Sequence, residues 1–543
     1  MATPNKGRAG KGATKNGDAA KGEEQMKEAA ARTNWDGPAT ARPALKVLVV
    51  SPEIFPLAKT GGLADVAGSL PLALRGLGCD VRVAMPLYRK VRVPASEIAT
   101  FDVPMGPKFL DTVRCAMPAG KEPGKGPVWE VTATAVVKQA ALGAGVPAYL
   151  VENRALFDRD SLYGYGDDMA RFGFFSRAVL EFLDRGEWKP DVIHCNDWQS
   201  AMVPTCLKLF YKPAGRLVGV GTLLTVHNLE YQGNFDRSAI DVLGLGWGLY
   251  NMEGIEFYGQ VSLMKAGILY SDMVNTVSEM YAREIQTPEY GARLDGVLRA
   301  NSAKVRGILN GLDYDVWDPE KDDALEQRFG TRSAGLRQKN KAALQRSLGL
   351  REDPGAFLLG FIGRLAVQKG IDILVPAIGE MLDMGCQLVA LGTGDDYYMQ
   401  KMAQIADADR ERLSVMLKFD DRMARQIYGG CDAFLMPSRY EPCGLGQMIS
   451  FRYGAVPIVR RTGGLADTVK DATANGDGTG FVFEEYGTPP LVESVRRARA
   501  TYGDSRCWNA IVLRGMRQDF SWKASASKYV DLYREIIGLA RPK

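Results

Sequence analysis

The six-residue string Thr-Gly-Gly-Leu-Ala-Asp occurs twice, at residues 60–65 and again at 462–467. A basic residue, Lys59 or Arg461, precedes each copy, and an apolar run that reads as a β-strand lies just upstream. The first follows Lys46-Val47-Leu48-Val49-Val50 across a short loop, and the second follows Val456-Pro457-Ile458-Val459. A helix-like segment comes after both. Strand, Gly-Gly turn and helix start are how an α/β sheet presents backbone N–H groups and a positive helix end to an anion. Paired glycines permit positive φ and let a ligand approach the main chain. Two such loops, far apart in the chain, predict two sheet domains that each offer a loop to one cleft.

The strand pattern agrees. A first series of short apolar runs covers 46–50, 80–85, 147–151, 192–195, 222–226 and 273–277. A second covers 357–362, 387–391, 414–419, 433–436, 456–459 and 480–483. Helical patterns separate the runs, which predicts parallel sheets covered on both faces. The segment around Asn310 reads as the crossover between the two series. Residues 521–539 read as one amphipathic helix with Ser521 as N-cap. The expected organisation is a tail over 1–44, a first domain over 45–305, a second over 306–520, and a C-terminal helix over 521–543 that packs back on the first domain.

Composition excludes several classes. The net charge is +4, but residues 1–45 hold eight Lys/Arg against five Asp/Glu, so the folded part is near neutral. Bulk charge therefore gives no case for a nucleic-acid partner. No apolar stretch approaches the roughly 18 residues of a membrane helix. The tail is rich in Ala, Gly and Lys, lacks the apolar centre of a secretory signal, and has no Ser before Ser51; it reads as a solvated segment. The eight Cys form no C-x-x-C pair, which fits a reducing, cytoplasmic setting. With only His194 and His227 in the chain, an all-His metal centre is excluded.

Ligands of such sheets bind at the carboxyl ends of the strands, and the unusual residues lie there. Asn196-Asp197-Trp198 follows one strand, His227-Asn228 another, Gly363-Arg364 a third and Glu441-Pro442-Cys443-Gly444 a fourth. Arg364 and Lys369 place two cations near a helix N-terminus, against the helix dipole, which makes sense with a di-anion between them. Glu441 beside a helix start can accept from sugar hydroxyls, with the N–H groups of residues 444–446 aimed at phosphate. His227 sits at the carboxyl edge and reads as functional; His194 faces into its strand and reads as core. Asp158-Arg159-Asp160 and Asp313-Tyr314-Asp315 have the Asp-x-Asp form that holds metal in many sugar transferases. Both lie in turn-rich stretches where Asp caps backbone, so no metal site is expected.

Taken together, Lys59 with the first hexapeptide, Asn196-Asp197-Trp198, His227-Asn228, Asn310-Gly311, Gly363-Arg364 with Lys369, Glu441-Pro442-Cys443-Gly444-Leu445 and Arg461-Thr462-Gly463-Gly464 resemble the bacterial glycogen synthase and plant starch synthase family. The resemblance covers about residues 45–540. It implies an α/β protein of the GT-B fold, two doubly wound Rossmann-like domains facing across a deep cleft. It also implies retaining transfer of glucose from ADP-glucose to the non-reducing 4-hydroxyl of an α-1,4-glucan such as glycogen. No cofactor is implied, since ADP-glucose is a substrate.

Residue by residue, the resemblance implies that Lys59, Gly61, Gly62 and Asp65 serve the diphosphate and acceptor side. Arg364 and Lys369 hold the diphosphate. Glu441, with Cys443, Gly444, Leu445 and Gly446, holds the donor glucose. His227, Asp197, Asn228 and Asn310 line the reacting sugar, Tyr163 reaches the acceptor, and Thr462 and Gly463 complete the second loop. Many bacterial members carry His where Asn196 stands, so that position is expected to have no chemical part. Eight residues after Glu441 stands Ile449, which separates the chain from transferases with a Glu-x7-Glu pair. A different GT-B transferase, or a catalytically silent glucan-binding homologue, are the alternative readings.

Overall fold

The computed structural model describes residues 44–114, 131–473 and 476–540. The tail expectation for residues 1–43 lies outside them. Two sheets form the body. The first has nine strands: β1 (Lys46–Val50), β2 (Asp80–Pro86), β3 (Ser96–Met105), β4 (Val131–Leu142), β5 (Val146–Glu152), β6 (Val192–Asn196), β7 (Gly221–Val226), β11 (Met273–Thr276) and β12 (Val305–Gly307). Between β7 and β11 lies a small antiparallel sheet of β8 (Asn234–Phe235), β9 (Glu256–Phe257) and β10 (Gln260–Ser262). The second large sheet has β13 (Phe357–Ile362), β14 (Cys386–Leu391), β15 (Leu413–Met416), β16 (Ala433–Met436), β17 (Val456–Arg460) and β18 (Phe481–Phe483).

In the first sheet the order is β12-β11-β7-β6-β1-β2-β5-β4-β3. All pairs from β12 to β5 are parallel, and β4 and β3 extend the edge as an antiparallel pair. The second sheet, β15-β14-β13-β16-β17-β18, is parallel throughout. Its central strands and those of the first sheet are buried on both faces, which is why they are continuous apolar runs: Val47, Leu48, Val49 and Val50 are all fully buried. The chain leaves β1 toward β2 on one side and reaches β6 on the other. Strand β13 holds the same place between β14 and β16. These two positions are topological switch points, where the loops diverge and leave a crevice. Each Rossmann-like half therefore has its crevice beside its first strand.

The helix Trp522–Ala540 returns to the first sheet. Ser521 accepts the Ala524 N–H at 3.4 Å. Tyr533 and Tyr529 reach buried polar groups on β6 and β11, where the Tyr533 hydroxyl meets His194 Nδ1 at 2.8 Å and Tyr529 meets Asn275 at 3.2 Å. The two crossings between domains run side by side: Leu312 N–H donates to the Phe520 carbonyl, and the Ser525 hydroxyl donates to the Leu309 carbonyl at 2.7 Å. No helix among the described residues is long and apolar enough to cross a membrane.

Candidate active site

The first lip of the cleft is built on β1, β6 and β7. Asp197, just past β6, holds φ 55°, a left-handed backbone that an L residue adopts at a cost. That turn aims its carboxylate back at the next strand end, where Oδ1 accepts the His227 N–H at 2.7 Å. Burial pushes the Asp197 carboxyl up to about 7, against the N–H bonds from His227 and Asn228. Asn196 donates its amide N–H to the Val50 carbonyl at 3.1 Å and turns Oδ1 to His227 Nε2 at 2.9 Å. A carbonyl only accepts, so the amide nitrogen must face Val50 and the oxygen must face the imidazole. His227 then carries its proton on Nε2 and keeps Nδ1 as an acceptor. Burial holds this imidazole down to about 3, so it is neutral at physiological pH. Asn196 thereby fixes the tautomer and orientation of His227. His194, as expected, is core, bound to Thr225 at 2.5 Å and to Tyr533.

Residues around the first Gly-Gly loop are organised by Glu53, which the sequence reading passed over. It is buried, and its Oε2 accepts both the N–H and the hydroxyl of Thr60, the latter at 2.8 Å. The Gly61 N–H adds to the same carboxylate, while burial raises its pKa. Lys59 pairs with Asp65 at 2.7 Å in a partly exposed contact, and Asp65 stands in the first turn of the helix Gly62–Gly76. Burial raises the Asp65 pKa and Lys59 opposes that. Tyr163 lies tilted against Phe172 (5.9 Å) and turns its buried hydroxyl toward Thr60 without reaching good hydrogen-bond geometry.

On the second lip, Lys369 precedes the left-handed Gly370 and the helix Ile371–Asp383. Its Nζ lies 2.5 Å from Glu441 Oε2, which also accepts from the Ser438 hydroxyl at 3.0 Å. Arg364 is exposed at the end of β13 and donates to Gln368. The two cations are thus not a bare pair awaiting an anion, since Lys369 is already neutralised by Glu441. Cys443 is buried with Asn310 against its thiol, and burial pushes that thiol up to about 12. The Asn310 Oδ1 is buried with no hydrogen-bond partner among the described residues. Gly444 takes φ +73°, and Leu445 and Gly446 open the helix Gly446–Arg452.

Beside Arg364 lies a cavity of about 240 Å³ at the ends of β13, β14 and β15, lined by Ile362, Gly363, Leu391, Gly392, Thr393, Lys418, Phe419 and Asp420. Phe419 is 93% exposed. An aromatic residue closing the expected strand 414–419 was the available sequence signal; the strand itself ends at Met416. The lips approach each other where Tyr440, next to Glu441, sits beside Asn228 and Glu230, next to His227.

The two Gly-Gly loops are held from within the protein. Neither Gly-Gly loop leaves its first polar groups free for a ligand. Glu53 takes those of the first copy. In the second copy the Thr462 hydroxyl (2.9 Å) and Gly463 N–H (3.0 Å) bind Glu284 of the first domain. Thr462 and Gly463 therefore face a protein carboxylate. A helix start satisfied by an internal carboxylate follows the same physics as one that binds phosphate.

Two doubly wound domains with polar strand ends facing across a crevice define a glycosyltransferase of the GT-B class. Residues 46–300 match the family model of the starch synthase catalytic domain, and 356–499 that of glycosyl transferases group 1. A glycogen synthase of Moorella thermoacetica is 48% identical over 91% of this chain and 97% of its own length. One from Syntrophotalea carbinolica is 44% identical over 91% and 99%. The solved catalytic domain of starch synthase IV from Arabidopsis thaliana, bound to ADP and acarbose, aligns with a TM-score of 0.80 at 32% identity. It covers 91% of this chain and all of that one. The sucrose-phosphate synthase of Thermosynechococcus elongatus, at 17% identity and TM-score 0.55, shares the fold. The chain belongs to the glycogen and starch synthase family of glucosyltransferases.

Proposed function

We propose that this glucosyltransferase takes glucose from ADP-glucose and adds it, with retention, to the non-reducing 4-hydroxyl of an α-1,4-glucan in the cytoplasm. The observation that carries this reading is the contact of Tyr440, beside Glu441, with Asn228 and Glu230, beside His227, which brings the two lips together near the open cavity at Phe419 and Arg364. In this reading the cavity takes the nucleobase, with Phe419 against its face. Arg364 and Lys369 take the diphosphate, and Glu441 accepts from the donor glucose. His227, neutral and protonated on Nε2, accepts a sugar hydroxyl at Nδ1. Asn310, whose Oδ1 has no hydrogen-bond partner among the described residues, and Cys443 close the sugar pocket. Lys59, Asp65, Tyr163 and Asn228 face the acceptor.

Breaking the glycosidic bond puts negative charge on the departing diphosphate and positive charge on the anomeric carbon. Fixed cations beside the phosphates stabilise that state more than the ground state. Attack from the same face, with a departing phosphate oxygen receiving the acceptor's proton, needs no protein nucleophile. Approach of the lips excludes water from the donor. We further propose that no metal is required. Asp158 and Asp160 are both paired with Arg89 (2.6 and 2.7 Å), and Asp313 accepts the N–H groups of Asp315 and Val316.

The test is release of ADP from ADP-glucose against UDP from UDP-glucose, each with and without glycogen. Glycogen-dependent ADP release is expected. Preference for UDP-glucose would move the chain to another donor, and no release from either would leave a glucan-binding protein.

A further inference from the structure

Behind the sugar site, one carboxylate of the first domain reaches into the second. Glu284 ends the helix Glu279–Glu284, and its Oε1 receives the Thr462 hydroxyl and the Gly463 N–H. Met280, in the same helix, donates its N–H to Asp467 Oδ2 at 2.9 Å. Tyr290 meets Arg460 at 3.2 Å. A short stretch of the first domain therefore grips the second hexapeptide at both ends.

That hexapeptide is pressed in turn against the loop that carries Glu441. The Gly464 N–H donates to the Glu441 carbonyl at 3.1 Å. A Cβ added at Gly463 would lie 2.0 Å from the Glu441 carbonyl oxygen, and one at Gly464 would lie 1.9 Å from that of Cys443. With no room for a side chain between the two backbones, a shift of one displaces the other. Glu284 is also a costly way to satisfy two donors. Its Oε2 is buried without a hydrogen-bond partner among the described residues, and burial raises its pKa. A stability role alone does not account for a half-used carboxylate at this point.

We propose that Glu284 is a positioning residue for the donor glucose: from the first domain it fixes the 462–464 backbone and, through it, the 441–443 backbone that forms the sugar pocket. The proposal rests on the assignment of the donor glucose to Glu441. Glu284 touches no reacting atom; it makes the shape of a second-domain pocket depend on the placement of the first domain.

The test uses Glu284→Ala, Glu284→Gln and Thr462→Val in the full chain, with ADP release at saturating ADP-glucose and glycogen and a thermal midpoint for each variant. A misplacement of about 1 Å at a reacting centre costs about 100-fold, so Glu284→Ala is expected to lower kcat by about 10–100-fold with the glycogen KM within about twofold. Glu284→Gln keeps an oxygen that accepts both bonds and should return to within about threefold of the parent. Thr462→Val should fall by about fivefold, and the double variant Glu284→Ala/Thr462→Val should be no slower than Glu284→Ala, because both remove one linkage. Should Glu284→Ala fail to fold, the kcat of Glu284→Gln and Thr462→Val decides. Midpoints that fall while kcat per folded enzyme stays at the parent value would overturn the proposal. So would wild-type kcat in Glu284→Ala alongside an inactive Glu441→Ala. Turnover retained by Glu441→Ala would instead remove the donor assignment, and the proposal with it.

Discussion

Replacing Lys369 by Met perturbs the ion pair at the centre of the second lip. Its Nζ is 2.5 Å from Glu441 Oε2, with side-chain exposures of 24% and 7%. At an effective dielectric of about 20 the gross attraction over that distance is about 7 kcal/mol. Most of it offsets the cost of withdrawing two charges from water. Removing the cation alone leaves the nearly buried Glu441 carboxylate with the Ser438 hydroxyl. The expected loss is about 3 kcal/mol, the low end for a broken buried pair because Lys369 is a quarter open to solvent. In a two-domain chain that loss belongs to one unfolding step. At about 2–4 °C per kcal/mol it shifts the second domain's transition by about 6–12 °C in calorimetry. Turnover, read as ADP release, should fall at least about 100-fold, since a charge aimed at the departing phosphates is worth about 3 kcal/mol. Lys369→Met/Glu441→Gln should recover more than half of the thermal loss and none of the turnover. A parent-like midpoint for Lys369→Met would refute the pairing as a stabilising contact. Turnover regained in the double variant would show that Lys369 serves only to neutralise Glu441.

The remaining predictions concern the same cleft. Phe419→Ala should raise the KM for ADP-glucose by about tenfold, the scale of ring–base stacking, and leave the glycogen KM alone; an unchanged donor KM would empty the cavity of its nucleobase. ADP release should survive excess EDTA, and a loss restored by Mg²⁺ or Mn²⁺ would give the Asp-x-Asp strings a metal role. Glu441→Ala and His227→Ala should each cut turnover strongly with a double variant little worse than the poorer single; strict additivity would mean that they do not share one sugar. Both histidines are held neutral, at about 3 against an ordinary 6.5. Between those values the unfolded chain binds a proton that the folded chain does not, so stability is lost as pH falls, by about 1.4 kcal/mol per pH unit for each His. Denaturation between pH 4.5 and 6 should show His194→Gln with a slope shallower by that amount, and an unchanged slope would place His194 in contact with solvent.

The central strands were legible because burial on both faces forces continuous apolar runs, as in Val47-Leu48-Val49-Val50, and the polar residues just past their ends marked the lips. The β3–β4 pair was missed because β3 is an edge strand: Phe101, Val103 and Met105 point inward and alternate with Thr100, Asp102 and Pro104, a period-two signal too short to stand out. Glu53 and Glu284 were invisible for a different reason. Their partners are the Thr60 and Gly61 N–H groups with the Thr60 hydroxyl, and the Gly463 N–H with the Thr462 hydroxyl; a backbone N–H leaves no side-chain type to read, and a neutral hydroxyl does not mark a carboxylate partner. The repeated hexapeptide did point to a turn that binds an anion, but nothing in it distinguishes a ligand's anion from one the protein supplies. Asn196 was discounted because its residue type varies in the family, while its work, accepting the Nε2 proton of His227, depends on geometry.

The return of the helix Trp522–Ala540 to β6 and β11 orders the events of biosynthesis. More than two hundred residues separate β12 from that helix. At about 5–20 residues per second the ribosome needs about 10–40 s to make them. For that interval the nascent first domain holds all of its described strands yet lacks the cover for His194, Asn275 and the surrounding apolar face, while the second domain emerges complete behind it. The domain made first is thus the one finished last, and a nascent chain stalled before Trp522 would present that face to chaperones.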